Sequence, residues 1–402
     1  MTERVGLADI REAADLLEGT AIRTPMEGAR WLTERAGGPV RLKCENLQRT
    51  GSFKPRGAYV RLSRLSPEER ANGVVAASAG NHAQGVALSA QQLGMKAVVY
   101  MPEGAPIPKV NATLGYGAEV RFHGQYLDQA ILEAKRYAEE SGAVFISPFD
   151  HVDVVAGQGT AGLEILEQAP EVRTVIVPTG GGGLLAGIAI AIKEQRPDVR
   201  VVGVQAEQAA AFPPSLDRGE PVPLEQMNTM ADGIAVGRPG DVTFPAVQEY
   251  VDDMLTVSEE SLSRAVLAVL ERAKMVVEPA GAAAVAAVMD DPTAFETPAV
   301  AVLSGGNIDP LLLGKVIQHG MAAADRYLAL RVVISDLPGG LAGLLAELSE
   351  VGANIIEVTH ERISPLLGLH EVEVDLQLET RGPQHAERVR ARLKDLGYRI
   401  FE

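Results

Sequence analysis

Between about residues 70 and 320, short apolar runs rich in β-branched residues alternate with alanine-rich helical stretches. That alternation constrains the fold more than any other feature of the chain. Val74-Val75-Ala76-Ala77, Ala97-Val98-Val99-Tyr100, Val120-Arg121-Phe122, Ala143-Val144-Phe145-Ile146, Thr174-Val175-Ile176-Val177, Val201-Val202-Gly203-Val204 and Ala299-Val300-Ala301-Val302-Leu303 read as strands. Residues 84–93, 109–115 and 185–194 read as helices among them. A strand that is apolar along its whole length is covered on both faces, as in parallel sheets joined by crossover helices. The expectation is an α/β architecture with a cleft at the carboxyl ends of the strands.

Near Tyr327 the rhythm changes. Leu330 to Ile334 reads as a strand, Asp336-Leu337-Pro338-Gly339-Gly340 as a turn, and Leu341 to Val351 as a helix with Leu344, Leu345 and Leu348 on one face. Asn354 to Arg362 and Leu369 to Leu378 read as two strands, the second alternating at Val372, Val374, Leu376 and Leu378. A charged helix at 384–396 and a strand Tyr398 to Phe401 close the chain. The order β-α-β-β-α-β is that of a ferredoxin-like module. It is too small for a catalytic body and reads as a regulatory appendage. The expected domains are 1–325, with a smaller subdomain at about 47–152 inserted, and 328–402.

A length of 402 residues suits two or three domains. The formal net charge of −16 and a pI near 5.0 argue against nucleic acid and anionic membrane as partners. One cysteine, Cys44, excludes a disulfide framework and favours the cytoplasm. Met1-Thr2-Glu3-Arg4 opens a mixed-charge helix without the apolar core of a signal peptide. No apolar stretch reaches membrane-spanning length.

Three of the strands run into a turn of small residues and then a helix. Such turns point helix N-terminal amides, with their partial positive charge, into the cleft. In Pro178-Thr179-Gly180-Gly181-Gly182-Gly183-Leu184, four glycines let amides approach an anion with no Cβ in the way, and a phosphate fits that nest. The run is not the Gly-x-Gly-x-x-Gly fingerprint, and no Walker lysine follows. In Ser78-Ala79-Gly80-Asn81-His82-Ala83-Gln84-Gly85 the amides suit a substrate carboxylate, and Asn81 can donate to a phenolate oxygen. His82 reads as structural rather than as a general base. The third turn, Ser304-Gly305-Gly306-Asn307, offers a neutral hydroxyl to a cofactor ring nitrogen. A neutral partner weakens the ring as an electron sink, which favours elimination over chemistry through long-lived carbanions.

Gly51-Ser52-Phe53-Lys54-Pro55-Arg56-Gly57-Ala58 sets a lysine between an aromatic ring and a proline. The chain has nine lysines against 28 arginines, so lysine is not what supplies its solubility. Desolvation lowers a lysine's pKa, and a neutral amine attacks an aldehyde. This is how a lysine comes to hold pyridoxal phosphate as a Schiff base.

These four segments together resemble the fold-type II pyridoxal phosphate enzymes (tryptophan synthase β-like), and among them the threonine dehydratases, also called threonine ammonia-lyases. The resemblance covers about residues 5–322. The tail, with Asp336-Leu337-Pro338-Gly339-Gly340-Leu341 at its first strand–helix turn, resembles an ACT domain, an amino-acid-sensing module. The resemblance implies a catalytic body of two α/β subdomains and pyridoxal 5′-phosphate as cofactor. It makes Lys54 the Schiff-base lysine, packs Phe53 on the cofactor ring, and puts Asn81 at O3′ and Ser304 at the ring nitrogen. Gly180, Gly181, Gly182, Gly183 and Leu184 would cradle the phosphate. Amides of Ser78, Ala79, Gly80, Asn81 and His82 would clamp the substrate carboxylate.

The activity implied is that of a carbon–nitrogen lyase, taking L-threonine to 2-oxobutyrate and ammonia and L-serine to pyruvate. Lys54 would remove the α-proton, and the β-hydroxyl would leave as water, protonated by the cofactor phosphate or a nearby acid. In the tail, Asp336, Leu337, Gly339, Leu341 and Asn354 are the expected contacts of an amino-acid effector. ACT modules pair, so a homotetramer or dimer is expected.

Serine racemases of this family place a serine directly after the residue matching Ser78. Here that residue is Ala79, which disfavours racemisation. Threonine synthase and cysteine synthase carry aspartate after the lysine, where this chain has Pro55. Racemase-like relatives hold a divalent ion on a loop corresponding to Glu207 through Asp217, but Pro213 stands where its aspartate belongs, so no metal site is expected. Glu278, before Pro279-Ala280-Gly281, is read as capping the following helix, in preference to a cleft acid. Two readings come from other classes. A nucleotide binder would leave Lys54 without a role, and a non-catalytic amino-acid sensor would predict a damaged cofactor site.

Overall fold

The computed structural model describes residues 4–362 and 367–401. The chain divides into two compact units, Met1–Leu313 and Gly314–Glu402.

The first unit contains two sheets. The larger runs, edge to edge, Met26–Gly28, Val40–Lys43, Ala299–Val302, Thr174–Pro178, Arg200–Ala206 and Asp253–Val257. Every neighbouring pair is parallel except Met26–Gly28 against Val40–Lys43. The smaller sheet, Glu119–Phe122, Ala97–Met101, Val74–Ala77 and Val144–Phe145, is parallel throughout. Thr174–Pro178, Ala299–Val302 and Val74–Ala77 are buried at every residue, as strands covered on both faces must be.

The helix after Thr174–Pro178 is Gly183–Lys193, apolar on all sides and buried from Gly183 to Ile192. With Val152–Gln168 it forms the centre of the larger core, around Val155, Val175, Leu185 and Ile188. It starts two residues earlier than the apolar periodicity suggests, and Asn81–Gln92 starts three earlier. Glycine and asparagine are weak helix formers, so packing rather than propensity holds these first turns. The N-terminal helix is Leu7–Leu17, with Ile10, Ala13 and Leu17 buried. Of the expected opening Met1 to Arg4, residues 1–3 lie outside the described residues, and Arg4 precedes the helix.

The second unit follows the order β-α-β-β-α-β: Tyr327–Ser335, Gly340–Glu350, Asn354–Glu361, Glu371–Glu379, Pro383–Asp395, Arg399–Phe401. Its antiparallel sheet is ordered Asn354–Glu361, Glu371–Glu379, Tyr327–Ser335, Arg399–Phe401. Leu344 and Leu348 of one helix and Val389 and Leu393 of the other close over Val372, Val374, Leu376 and Leu378. Among the described residues no helix is long and apolar enough to cross a membrane.

Candidate active site

Lys54 is the first residue of the helix Lys54–Ser63. The segment before it is zipped to the turn after Ala299–Val302. Ser52 bridges Gly305, Phe53 N donates to Ser304 O at 3.2 Å, and Gly306 N donates to Gly51 O at 2.9 Å. Below it, Arg56 is fully buried and holds both oxygens of the buried Glu45 at 2.8 and 2.9 Å, and Glu164 at 2.7 Å. The Lys54 ammonium donates to Pro148 O at 2.9 Å and lies 5.0 Å from the centre of the Phe53 ring. Burial lowers its pKa to about 8, against the opposing charge of Glu278.

The glycine turn opposes it. Gly182 has φ +98°, a left-handed conformation that a side chain would strain. At Gly181 a Cβ would lie 2.4 Å from the Phe149 ring. Ala186 N is the first amide of the following helix to reach a backbone acceptor, Gly182 O at 2.8 Å. Among the described residues, no amide from Gly180 to Leu185 donates to protein. These free amides at a helix N-terminus form an anion site.

Asn81 opens the helix Asn81–Gln92, and its side chain is held from two sides. Its Nδ2 donates to Glu278 Oε1 at 2.6 Å, and its Oδ1 accepts from Asn307 Nδ2 at 2.8 Å. His82 is buried with Nε2 at 2.9 Å from Ile146 O. Burial, with Lys54 adding to it, drops its pKa to about 3. It stays neutral and is a poor base, in line with a structural role.

Glu278 corrects the expectation of a capping side chain. The helix Pro279–Asp290 does begin after it, but Glu278 makes no side-chain capping bond. Its carboxylate is buried, 3 % exposed, and turned to Asn81. Burial, then the charge of Asp232, raises its pKa to about 7 in spite of Lys109, Asn81 and Lys54. Lys109 and Asp232, which the sequence did not single out, form an ion pair of 2.6 Å between segments 123 residues apart. Neither contact has a local signature, because each depends on a residue more than a hundred positions away.

One cavity of about 680 Å³ gathers these groups. Phe53, Lys54, Ser78, Ala79, Gly80, Asn81, His82, Gly180, Gly181, Gly182, Gly183, Leu184 and Ser304 all line it, with Glu278, Lys109 and Asp232.

A family model described as pyridoxal-phosphate dependent enzyme matches residues 17–305. The chain belongs to that family. Its larger unit is the α/β body of the fold-type II enzymes. It is 45 % identical to the L-threonine ammonia-lyase of Thermotoga maritima, over 98 % of this chain and 99 % of that one. Among solved structures, the processed form of threonine deaminase isoform 2 from Solanum lycopersicum is 37 % identical, with a TM-score of 0.75, over 80 % of this chain and 91 % of that one. Maize serine racemase is 34 % identical, with a TM-score of 0.74, over 78 % and 97 %. Fold likeness alone therefore does not separate elimination from racemisation.

The cavity fits the family's cofactor on its own chemistry. Unpartnered amides at 180–185 suit the phosphate, a lysine of lowered pKa suits the aldehyde, and a hydroxyl at Ser304 suits the ring nitrogen.

Of the five expected effector residues of the second unit, Asp336, Leu337, Gly339 and Leu341 share one strand–helix turn, and Asn354 lies at the other end of the sheet. Asn354 pairs across the sheet with Glu379, and Ser335, next to Asp336, pairs with Glu371. Eight residues of strand separate those ends, about 27 Å. Asp336 is paired to Arg362 at 3.2 Å, and Asn354 donates to Glu379 at 3.1 Å. Leu337 is exposed, and Gly339 caps the helix Gly340–Glu350 at φ +94° with Leu341 in its first turn.

Proposed function

We propose that this chain deaminates L-threonine to 2-oxobutyrate and ammonia, and L-serine to pyruvate, with pyridoxal phosphate as its cofactor and in the cytoplasm. The observation that carries the reading is Lys54: a part-buried amine of lowered pKa opening on the same cavity as the free amides of Gly180 to Leu185. The bound cofactor supplies an electron sink for the substrate's α-carbon. Lys54 would hold it through its amine and, with Nζ free, would take the substrate's α-proton. Phe53 would pack beside the cofactor ring, Asn81 would donate to its phenolic oxygen, and Ser304 would meet its ring nitrogen as a neutral partner. Of the five amides expected to clamp the substrate carboxylate, those of Ala79, Asn81 and His82 would bind it, because Ser78 N donates to Tyr100 O at 3.1 Å and Gly80 N to Ser78 Oγ at 3.1 Å. Ala79 offers no proton donor on the opposite face, which favours loss of the β-hydroxyl over reprotonation.

The Gly314–Glu402 unit is assigned as an ACT-type amino-acid sensor, a reading supported by its β-α-β-β-α-β order. Because Asp336 and Asn354 stand at opposite ends of the sheet, an effector touching both needs two copies of the chain. This supports a homotetramer or dimer. Truncation after Tyr327 tests it: unchanged assembly and unchanged effector response would rule out the assignment.

The reaction is tested by incubating the purified protein with pyridoxal phosphate and L-threonine and following 2-oxobutyrate. Formation that is lost in Lys54→Ala supports the reading. D-serine accumulating faster than pyruvate from L-serine would make the chain a racemase instead.

A further inference from the structure

Asn307, Asn81 and Glu278 form a chain of side-chain hydrogen bonds, with Asn81 and Glu278 on the cavity wall. Asn307 Nδ2 donates to Thr50 O at 2.5 Å and to Asn81 Oδ1 at 2.8 Å. Asn81 Nδ2 donates to Glu278 Oε1 at 2.6 Å. An amide side chain has one acceptor end and one donor end. Were Asn81 to flip, its NH2 would face the NH2 of Asn307, and its oxygen would face the carboxylate. The two partners therefore determine one orientation. One hydrogen of Asn81 Nδ2 goes to Glu278, and the other remains for a ligand in the cavity.

Glu278 is itself fixed. Its backbone N donates to Gly305 O at 3.1 Å, and its Oε1 lies so close to Gly305 that a Cβ there would approach it to 2.3 Å. Gly233, which offers no charge, also lies close, a Cβ there coming within 3.6 Å of Oε1. The ionisable groups acting on it are Asp232, Lys109 and Lys54. A buried carboxylate 3 % exposed, with one amide as its hydrogen-bond donor, is costly unless it has work to do.

We propose that Glu278 is a positioning residue: it holds the Asn81 amide in one orientation and, through its own charge, sets how strongly that amide donates to the cofactor's phenolic oxygen. The inference rests on the assignment of Asn81 to that oxygen. An anionic acceptor draws the shared Asn81 hydrogen towards itself and leaves the second N–H a weaker donor, whereas a neutral carboxyl group releases it. Gain or loss of one proton at Glu278 thus reaches the cofactor through a single amide. Burial and Asp232 bring that proton exchange close to neutral pH, about 7.

The test uses the full-length protein loaded with pyridoxal phosphate and reads its absorption spectrum across the neutral pH range. The parent is expected to be coloured, bleached by borohydride, and to shift its band ratio within the neutral pH range as Glu278 gains or loses its proton. Glu278→Gln keeps an acceptor for Asn81 without the titration, so it is expected to stay coloured with a pH-invariant spectrum. Glu278→Asp, one methylene shorter, withdraws the carboxylate from Asn81 Nδ2 and is expected to weaken the inflection; it decides the matter if the glutamine variant does not fold, a response equal to the parent's then counting against the proposal. A parent spectrum flat across this range, or Glu278→Gln responding as the parent does, overturns the proposal while leaving the cofactor assignment intact. A colourless parent overturns the cofactor assignment, and the Glu278 proposal falls with it; a Schiff-base band surviving in Lys54→Ala overturns the role of Lys54 alone.

Discussion

Lys54 Nζ donates to the backbone carbonyl oxygen of Pro148 at 2.9 Å, and this is its hydrogen bond to protein. One carbonyl does not replace the water an ammonium loses on burial. The amine is therefore poised to deprotonate, with its pKa lowered to about 8. In cofactor-free protein, the rate of pyridoxal phosphate uptake should climb as pH passes through about 8 and then level off. Because Glu278 opposes the shift, Glu278→Gln should move that midpoint to lower pH. Lys54→Ala should abolish uptake and cut deamination by roughly a thousandfold or more. Stopped-flow absorbance and a 2-oxobutyrate assay check the two halves.

Glu278 carries the opposite linkage. Its folded pKa, about 7, lies above the ordinary 4.5, so the native state keeps a proton that the unfolded chain has released. Stability of cofactor-free protein should fall as pH rises from about 4.5 to about 7, by on the order of 3 kcal/mol. Glu278→Gln should remove that slope, so that the variant is more stable than the parent at about pH 8 and comparable to it at about pH 4. Urea midpoints at the two pH values decide it.

Buried Arg56 and Lys43 face buried Glu45 and part-buried Glu164 in a set of two cations and two anions. Removing one member leaves an uncompensated charge. Arg56→Met should cost about 3–5 kcal/mol of stability by denaturant unfolding. Burial alone would raise the Glu45 pKa, but Arg56 overcomes it and holds it low. The parent should therefore lose stability as pH falls below the ordinary glutamate range, and the Arg56→Met variant should lose less over the same interval.

Gly181 leaves no room for a methyl group beside Phe149. Gly181→Ala should displace the free amides around it, weakening pyridoxal phosphate retention at least tenfold and costing about 1–3 kcal/mol. A second change, Phe149→Ala, should recover part of the retention by opening the space. Dialysis followed by fluorescence of residual cofactor gives the comparison.

The α/β body was legible through its central strands, which are apolar throughout, whereas Met26–Gly28, Val40–Lys43 and Asp253–Val257 carry charged residues and were not read. The three small-residue turns were legible because each follows such a strand and precedes a helix. Where helices begin was less so: Gly183 and Asn81 are poor helix formers, yet packing and the turn geometry place both inside a first turn. The reading of Glu278 failed for a comparable reason. Glu-Pro-Ala-Gly has the local pattern of a capped helix start, and nothing within a few residues distinguishes a capping carboxylate from one turned to a distant asparagine.

By itself the sequence determined the order of strands and helices, the glycine nest, and the lysine that follows Phe53, because each depends on neighbours close along the chain. Tertiary structure decided what those groups face. It set Asn81 between Asn307 and Glu278, 226 and 197 residues away, and paired Lys109 with Asp232. It also sent Asp336 and Asn354 to opposite ends of one sheet. The physical reason is that burial and hydrogen-bond partners set pKa and side-chain orientation, and both are properties of the packed interior.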